Sequence, residues 1–261
     1  APVRFGGVRM MSSDPLLQPF KIKHLTLRNR LMTTSHEPAY PEDGMPKGRY
    51  RAYHVERAKA GLALTMTAGS AAVAQDSPPV FNNILAYKDE VVKWMKELTD
   101  ECHEHGAAVM IQLTHLGRRT RWDKADWLPA VAPTNIREPA HRAVPKIVED
   151  WDIERIIGNF ADAAERMKAA GVDGIEFDGF GLGGALDKEK LGTIVGWLCE
   201  ELPRHKPRHL LGIGEPDDLF VGVENGADTF DCVAPSRQAR TSAVFTNDGR
   251  VNMTNAKFKR R

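Results

Sequence analysis

The stretch KDEVVKWMKELTDECHEHGAAVMIQL (88–113) predicts a helix that is followed at once by a buried strand. Gly106 ends the helix, and the run AAVMIQL (107–113) has the length and apolar character of a strand inside a sheet. One face of the helix is apolar, and its residues recur at helical spacing: Val91, Met95, Leu98 and Cys102. A helix joined by a single glycine to a buried strand is typical of α/β proteins with parallel sheets.

The same alternation of strand and helix extends along the whole chain. Buried strands are predicted over 31–35, 62–73, 107–113, 172–182, 208–214 and 227–234, and helices over 48–61, 88–106, 153–171, 187–202 and 215–226. Asp150 or Asp152 is expected to cap the third helix, and hairpins are expected over 20–31 and 243–255. The long segment 114–150 is rich in proline and is predicted as a loop. The fold class is therefore α/β of the TIM-barrel type. About six βα units are counted and a closed barrel needs eight, so the barrel is incomplete or hybrid.

Bulk properties describe an ordinary globular protein. The 261 residues carry a net charge of +1 and are 42% hydrophobic, which gives no general attraction to nucleic acid or membranes. No apolar run approaches the roughly 20 residues that span a bilayer, and residues 1–13 lack the apolar segment of a signal peptide. The three cysteines are far apart in the sequence, so a reducing, cytoplasmic location is expected.

Polar or small residues follow the first three predicted strands, where the active sites of such barrels lie. Ser35 ends the first strand and His36 follows it, Ala68 lies near the end of the second, and Gln112 and His115 are at the end of the third. A carboxamide such as that of Gln112 both donates and accepts hydrogen bonds, which suits recognition of a flat heterocycle edge. Ala68 would let a ring approach the backbone, and His115 is a candidate catalytic residue. On periodicity alone, these polar groups equally well cap strands and bind loop backbone.

Three segments resemble the N-terminal half of the old yellow enzyme family of FMN-dependent NAD(P)H:flavin oxidoreductases: DPLLQPFKIKHLTLRNRLMTTSHEP (14–38), GLALTMTAGS (61–70) and AAVMIQLTHLGRR (107–119). The resemblance covers residues 14–176. It implies that Ser35 and His36 flank the flavin, that the Ala68 backbone contacts it, and that Gln112 binds its pyrimidine edge. A histidine at position 36 resembles the branch of the family that dehydrogenates methylated amines. At position 37 the family commonly has Thr or Cys, and this chain departs from it with Glu37.

Parts of that family's pattern are missing after the third strand. The family carries VEIH at its fourth strand, followed by a second His or Asn, and these side chains hold the substrate oxygen. Here the strand contains IEFDGFG (175–181), with Asp178 in the first position, and an ionised carboxylate cannot donate a hydrogen bond. The Arg and glycine-rich loops that hold the FMN phosphate also have no match. FMN is therefore expected to bind weakly, with NAD(P)H as reductant, and the oxidoreductase is expected to be catalytically incomplete.

Residues 177–258 resemble a different family, the tRNA-guanine (queuine) transglycosylases, through FDGFGLGGAL (177–186), the run 206–240 and FTNDGRVNMTNAKF (245–258). The resemblance implies Asp231 as the nucleophile that attacks ribose. It also implies base-framing roles for Gly183, Gly184 and Gly212, and places Arg237 and Arg240 near RNA phosphates. The segment that supplies the second catalytic aspartate has no match, and Asp231 on its own is equally well a strand cap. No Cys and His cluster has ligand spacing, so no zinc is expected.

The chain therefore divides into an N-terminal extension (1–13), an old yellow enzyme-like half barrel (14–176) and a transglycosylase-like half barrel (177–261). Three hypotheses stay open: an FMN-binding oxidoreductase with a small-molecule substrate, a tRNA base-exchange enzyme, and a non-catalytic chimeric barrel. tRNA is the less expected partner, and it would bind through the C-terminal part. Open barrel edges expose unpaired strands, which favours homo-oligomers.

Overall fold

The computed structural model describes residues 4–5, 8–9, 13–77, 81–119, 128–139, 142, 144–174, 179–182, 188–213 and 215–255. The chain separates into two compact units, Ala1–Glu176 and Phe177–Arg261. Each unit is built around its own three-stranded parallel sheet.

The first unit alternates strands and helices around the parallel sheet β5-β6-β7. Its elements are β1 (Arg4–Phe5), β2 (Val8–Arg9), β3 (Phe20–Ile22), β4 (Leu25–Leu27), β5 (Met32–Thr33), α1 (Gly48–Lys59), β6 (Leu64–Ala72), α2 (Val91–Glu104), β7 (Ala108–Thr114), β8 (Val131–Ala132), β9 (Lys146–Ile147) and α3 (Asp150–Ala169). The hairpin predicted over 20–31 is confirmed as the antiparallel pair β3–β4. The register of β6 with β7 shifts between Thr67 and Ala71, near the carboxyl end of the sheet.

A large apolar core joins the three helices to this sheet. Its buried members include Tyr50 and Val55 from α1, the predicted apolar face of α2, and Ala163 and Met167 from α3. At the opposite, amino-terminal end of the strands, Arg28 joins three segments of the unit. Its guanidinium donates to the carbonyl oxygens of Ala58, Leu62 and His105 at 2.7, 2.6 and 2.6 Å. The sheet that carries the strand ends is thus packed against all three helices of the unit.

The amino terminus of α3 is capped differently from the sequence-based prediction. Glu149 is the N-cap, and Asp150 lies in the first turn without acting as the cap. Asp152 occupies the N3 position, where its Oδ2 accepts the Glu149 backbone N–H at 3.0 Å, and the Glu149 side chain bonds in turn to the N3 backbone. This reciprocal capping box satisfies two N–H groups that the helix itself leaves unpaired.

The second unit repeats the alternation around the parallel sheet β10-β11-β12. Its elements are β10 (Phe180–Leu182), a 3-10 turn (Lys188–Lys190) leading into α4 (Leu191–Glu201), β11 (Arg208–Ile213), α5 (Pro216–Glu224), β12 (Thr229–Cys232), α6 (Ala234–Arg240), β13 (Ala243–Thr246) and β14 (Gly249–Asn252). A small core is buried here: Leu182, Leu191, Val195, Cys199, Leu210 and Ala227. The hairpin predicted over 243–255 is confirmed, with Thr246 paired to Gly249 across the turn.

The expected fold class is confirmed: the described residues alternate strands and helices around two three-stranded parallel sheets, one in each unit, and neither sheet is a closed barrel. Two details differ from the sequence-based prediction. Within the predicted fourth strand only Phe180–Leu182 is described as strand, and 175–178 lie outside the described residues. The sixth strand ends at Cys232, and α6 begins at Ala234 where strand was expected. Of the helices that the structure describes, none has the length and apolar character needed to cross a bilayer.

Candidate functional site

The carboxyl edge of the first sheet brings Ser35 and Gln112 together. Ser35 follows β5 and Gln112 lies in β7, and the Ser35 hydroxyl donates to Gln112 Oε1 at 2.5 Å. This bond engages the carboxamide oxygen of Gln112, an exposed residue, and leaves the Nε2 group as its donor. The arrangement presents two N–H donor sites at a strand end, which can bind an acceptor atom of a planar ligand.

His36, the next residue, is exposed and is held by Tyr53 of α1. The Tyr53 hydroxyl lies 3.2 Å from His36 Nδ1, and the two rings stack with centroids 6.2 Å apart. The contact fixes the imidazole plane and leaves Nε2 as the ring nitrogen that faces away from Tyr53.

Small residues of β6 let the segment after β5 approach closely. A Cβ atom built on Gly69 would lie 2.8 Å from Glu37 Cβ and 2.9 Å from the Glu37 backbone nitrogen. Ala68 precedes Gly69 in the stretch where the β6 register shifts, a feature found near active sites at barrel rims. The structure places the Ala68 backbone at this edge and describes nothing of its side chain.

Glu37 is a half-buried carboxyl group at the same edge. Its Oε1 accepts the Ala39 backbone N–H at 3.0 Å, and its Oε2 accepts Asn83 Nδ2 at 3.2 Å. Asn83 is fully buried and also donates to Ser70 Oγ at 2.7 Å. Burial raises the pKa of Glu37 to about 7, and the hydrogen bonds from Ala39 and Asn83 offset only part of that rise.

His115 lies in a buried ionic cluster, with both ring nitrogens engaged. Its Nδ1 accepts the Gly117 N–H at 3.2 Å, so its Nε2 carries the proton and donates to Asp76 Oδ1 at 3.2 Å. Arg155 of α3 also donates to both Asp76 oxygens, at 3.2 and 2.7 Å. Burial opposes ionisation of Asp76, but hydrogen bonds from His115 and Arg155 outweigh it and lower the Asp76 pKa to about 2. The cluster ties β7 and its following loop to α3.

In the second unit, Asp231 is fixed at the end of β12. Its Oδ1 accepts the Gly212 backbone N–H at 2.5 Å, and its Oδ2 lies 3.8 Å from His209 Nε2. Thr229 Oγ1 bonds to the other nitrogen of His209, Nδ1, at 2.8 Å. Gly212 has a φ of +73°, a conformation that favours glycine and turns its N–H toward Asp231.

The other candidates of this unit are only partly described. Gly183 and Gly184 lie outside the described residues, as does Asp178. Arg237 and Arg240 are exposed in the last turn of α6. Within the described ranges, no three His, Cys, Asp or Glu side chains gather as a metal-binding group.

Sequence reasoning identified Ser35 and Gln112, which the structure joins, and it did not identify Asn83, Asp76 or Arg155. Asn83 lies 46 residues from Glu37, and Arg155 lies 79 residues from Asp76. Asn83, Asp76 and Arg155 do not lie at the ends of predicted strands, so the rule that selected Ser35 and Gln112 did not select them.

Two family models match the chain. The NADH:flavin oxidoreductase / NADH oxidase family matches residues 15–180, and queuine tRNA-ribosyltransferase matches residues 155–261. The matches overlap over residues 155–180, which contain most of α3 and the predicted junction near residue 176.

Individual relatives show the same division. The chain is 72% identical over 171 residues to a protein of Rhizobium meliloti (strain 1021) named probable N-methylproline demethylase. The aligned stretch covers 66% of this chain and 25% of the relative. The chain is also 39% identical over 107 residues to queuine tRNA-ribosyltransferase of Pasteurella multocida (strain Pm70). That alignment covers 40% of this chain and 28% of the relative. The chain thus spans about a quarter of the length of these curated relatives.

Solved structures support the fold. A morphinone reductase mutant in complex with tetrahydroNAD superposes with a TM-score of 0.65 at 15% identity, covering 84% of this chain and 86% of that one. At this identity the likeness concerns the fold alone. On the family match that covers residues 15–180, the chain belongs to the NADH:flavin oxidoreductase / NADH oxidase family, and its C-terminal part carries a second similarity, to queuine tRNA-ribosyltransferase.

Proposed function

We propose that the first unit binds the ring of FMN at the carboxyl edge of β5, β6 and β7 and serves as a weak, catalytically incomplete oxidoreductase. The observation that carries this proposal is the Ser35–Gln112 hydrogen bond, which holds a carboxamide at an exposed strand end with Nε2 available as a donor. Gly69 supports it further, because the absence of a side chain there lets the segment after β5 approach β6 at the same edge.

The residues at this edge fit the ring of FMN. Gln112 Nε2 would donate to an acceptor on the pyrimidine edge, the Ala68 backbone would lie against the ring, and Ser35 and His36 would flank it. When bound, FMN supplies a ring that accepts and returns hydride. His115 serves in this proposal as a support for the β7 edge through Asp76, because both its ring nitrogens are engaged.

The proposed substrate is a small molecule, an N-methylated amine, with NAD(P)H as an alternative reductant. Similarity to a relative named N-methylproline demethylase supports this class. Weak turnover is part of the proposal, because Asp178 replaces the histidine that holds a substrate oxygen in the family, and because the phosphate-binding segments have no match.

Titration of the purified chain with FMN, followed by the quenching of flavin fluorescence, tests the proposal. Binding is expected in the wild type, and Gln112→Ala is expected to weaken it about tenfold, the value of one hydrogen bond of about 1.4 kcal/mol. Gln238→Ala is the matched control, since Gln238 also uses its Oε1 to accept one bond, from Arg250 in the second unit. Unquenched fluorescence at high protein concentration would overturn the proposal.

A second candidate function is tRNA base exchange with Asp231 as nucleophile. The supporting observation is that the Gly212 N–H fixes one oxygen of Asp231 at a strand end, while the other oxygen has no hydrogen bond from the described residues and lies 3.8 Å from His209 Nε2. Exposed Arg237 and Arg240 would contact RNA phosphates, and Gly183, Gly184 and Gly212 would frame the base. Incorporation of labelled guanine into tRNA that is lost in Asp231→Asn would establish this activity.

The remaining alternative is a non-catalytic chimeric barrel located in the cytoplasm. It predicts neither flavin quenching nor guanine incorporation. In this alternative, as in the first, we propose that the edge strands of the two open sheets pair between copies. Light scattering after size-exclusion chromatography distinguishes a monomer of 29.0 kDa from a homo-oligomer.

A further inference from the structure

Glu37 is a half-buried carboxyl group that, among the residues the structure describes, has only neutral hydrogen-bond donors. The donors are the Ala39 backbone N–H and the Asn83 carboxamide. Other carboxylates of the same unit face cations: Asp76 is bonded to Arg155 at 2.7 Å, and Asp152 to Lys146 at 2.5 Å. Glu37 therefore differs from these neighbours in having a negative charge with no described counter-ion.

The charged form of such a carboxylate is energetically unfavourable in the folded protein. Removing a carboxylate from water without a cation penalises its charged form, and this penalty is why burial raises the Glu37 pKa to about 7. A positively charged ligand beside the carboxylate would restore the missing pairing and would favour ionisation. The side chain that contacts Glu37 from the segment before α2 is that of Asn83, which is uncharged and also donates to Ser70 of β6.

The position of Glu37 identifies where such a ligand would lie. Glu37 follows Ser35 by two residues, and its backbone packs on Gly69 of β6. It therefore shares the carboxyl edge with the Ser35–Gln112 pair and with the backbone that is proposed to contact the flavin. His36 lies between Ser35 and Glu37, and its Nδ1 is 3.2 Å from the Tyr53 hydroxyl.

We infer that Glu37 is the residue that binds the cationic nitrogen of an N-methylated amine at this edge. Amines of this class carry a positive charge at neutral pH, so a single carboxylate pairs with them by a charge-assisted hydrogen bond from the N–H⁺ group. The inference rests on the proposed function for the substrate class, while the cation site rests on the contacts of Glu37 itself. It gives a physical role to the residue that departs from the family's Thr or Cys.

Isothermal titration calorimetry of the full chain with N-methylproline, with and without FMN, tests this inference. Wild type is expected to bind the amine, and Glu37→Gln is expected to weaken binding at least tenfold because the isosteric amide lacks the charge. Glu56→Gln is the matched control, because Glu56 is exposed and already paired with Lys59 at 2.8 Å. N-acetylproline, which has no cationic nitrogen, should bind wild type and Glu37→Gln alike. A thermal melt of each variant checks that both are folded.

The outcomes separate the two proposals. Equal affinity of wild type and Glu37→Gln for N-methylproline, no binding to wild type, or an equal loss in Glu56→Gln overturns the Glu37 site. If FMN fails to bind but the amine still binds in a manner that depends on Glu37, the flavin proposal fails and the cation site stands. If FMN binds and the affinity for the amine does not depend on Glu37, the flavin proposal stands and the cation site fails.

Discussion

Gly69 is the residue that lets the Glu37 segment lie against β6. In Gly69→Ala the new Cβ would sit within 3 Å of the Glu37 Cβ and of its backbone nitrogen, so one of the two segments must shift. We expect a loss of about 2 kcal/mol in the free energy of unfolding, as for other overpacked sites. Chemical denaturation measures it.

Gly158→Ala provides the comparison for that substitution. Gly158 lies inside α3, and a Cβ atom there meets no heavy atom within 4 Å. Alanine is the better helix former, so this variant should gain about 0.5–1 kcal/mol. A Gly69→Ala variant as stable as Gly158→Ala would contradict the close approach of Glu37 to β6.

Asp76→Asn should weaken the cluster that holds His115 and Arg155. We expect a loss of about 2 kcal/mol at neutral pH, less than for a fully buried pair because Arg155 is partly exposed. The Asp76 pKa is lowered to about 2, so the stability it contributes is present above its ordinary value near 3.8 and is lost as pH falls toward 2. The difference between wild type and variant should therefore shrink on acidification, and thermal melts between pH 7 and about pH 2 would show it. A difference that stays constant over this range would contradict the assignment.

At the residue scale, position in a strand predicted which side chains would lie at one edge of the sheet. Ser35 and Gln112 were selected because they end apolar strands, and parallel strands bring such ends to one edge. Their hydrogen bond across 77 residues follows from that rule. The partner of His115 was not predicted, because Asp76 lies in an irregular segment where no periodicity indicates direction. His115 was thus assigned by its motif and not by its contacts.

At the scale of elements, the capping box of α3 predicts which of two aspartates contributes more to the free energy of unfolding. Asp152→Ala removes the acceptor of the Glu149 N–H and a partner of Lys146, and it should cost about 1–2 kcal/mol of unfolding free energy. Asp150→Ala removes the same charge from the same turn without touching the cap, and should cost less than about 0.5 kcal/mol. Urea denaturation of the two variants compares them directly. Equal losses would mean that charge near the helix terminus, and not capping, stabilises α3.

Elements with strong periodicity were predicted well, and short ones were not. Helix α2 runs from Val91 to Glu104 inside the predicted range, because its apolar spacing is regular and Gly106 follows it. The parallel pair β8–β9 was missed, since two-residue strands in the 114–150 segment carry no pattern. Helix α6 was not predicted, although Pro235 lies in its first turn, a position that proline favours.

At the scale of the whole molecule, counting strands predicted an incomplete barrel, and the described residues form a three-stranded open parallel sheet in each unit. The count was informative because each buried strand is a separate apolar run, and a barrel closes only at a fixed number of strands. The division of the chain by family was visible for a different reason. The segments before and after residue 176 carry motifs of two different families. Both sets of motifs lie in short stretches around strand ends, where the sequence alone identifies them.

The two units should differ in local stability, because their cores differ in size. The first core joins three helices to β6 and β7, while the second is formed by a handful of side chains around α4 and β11. Since resistance to local opening follows the apolar surface that is buried, we expect the amides of β6 to exchange with solvent at least about 100-fold more slowly than those of β11. The comparison is matched, because each is the central strand of a three-stranded parallel sheet. Hydrogen exchange followed by mass spectrometry measures both in one sample. Equal protection of the two strands would show that the units open together as one cooperative body, and the separate cores would then not set their stabilities.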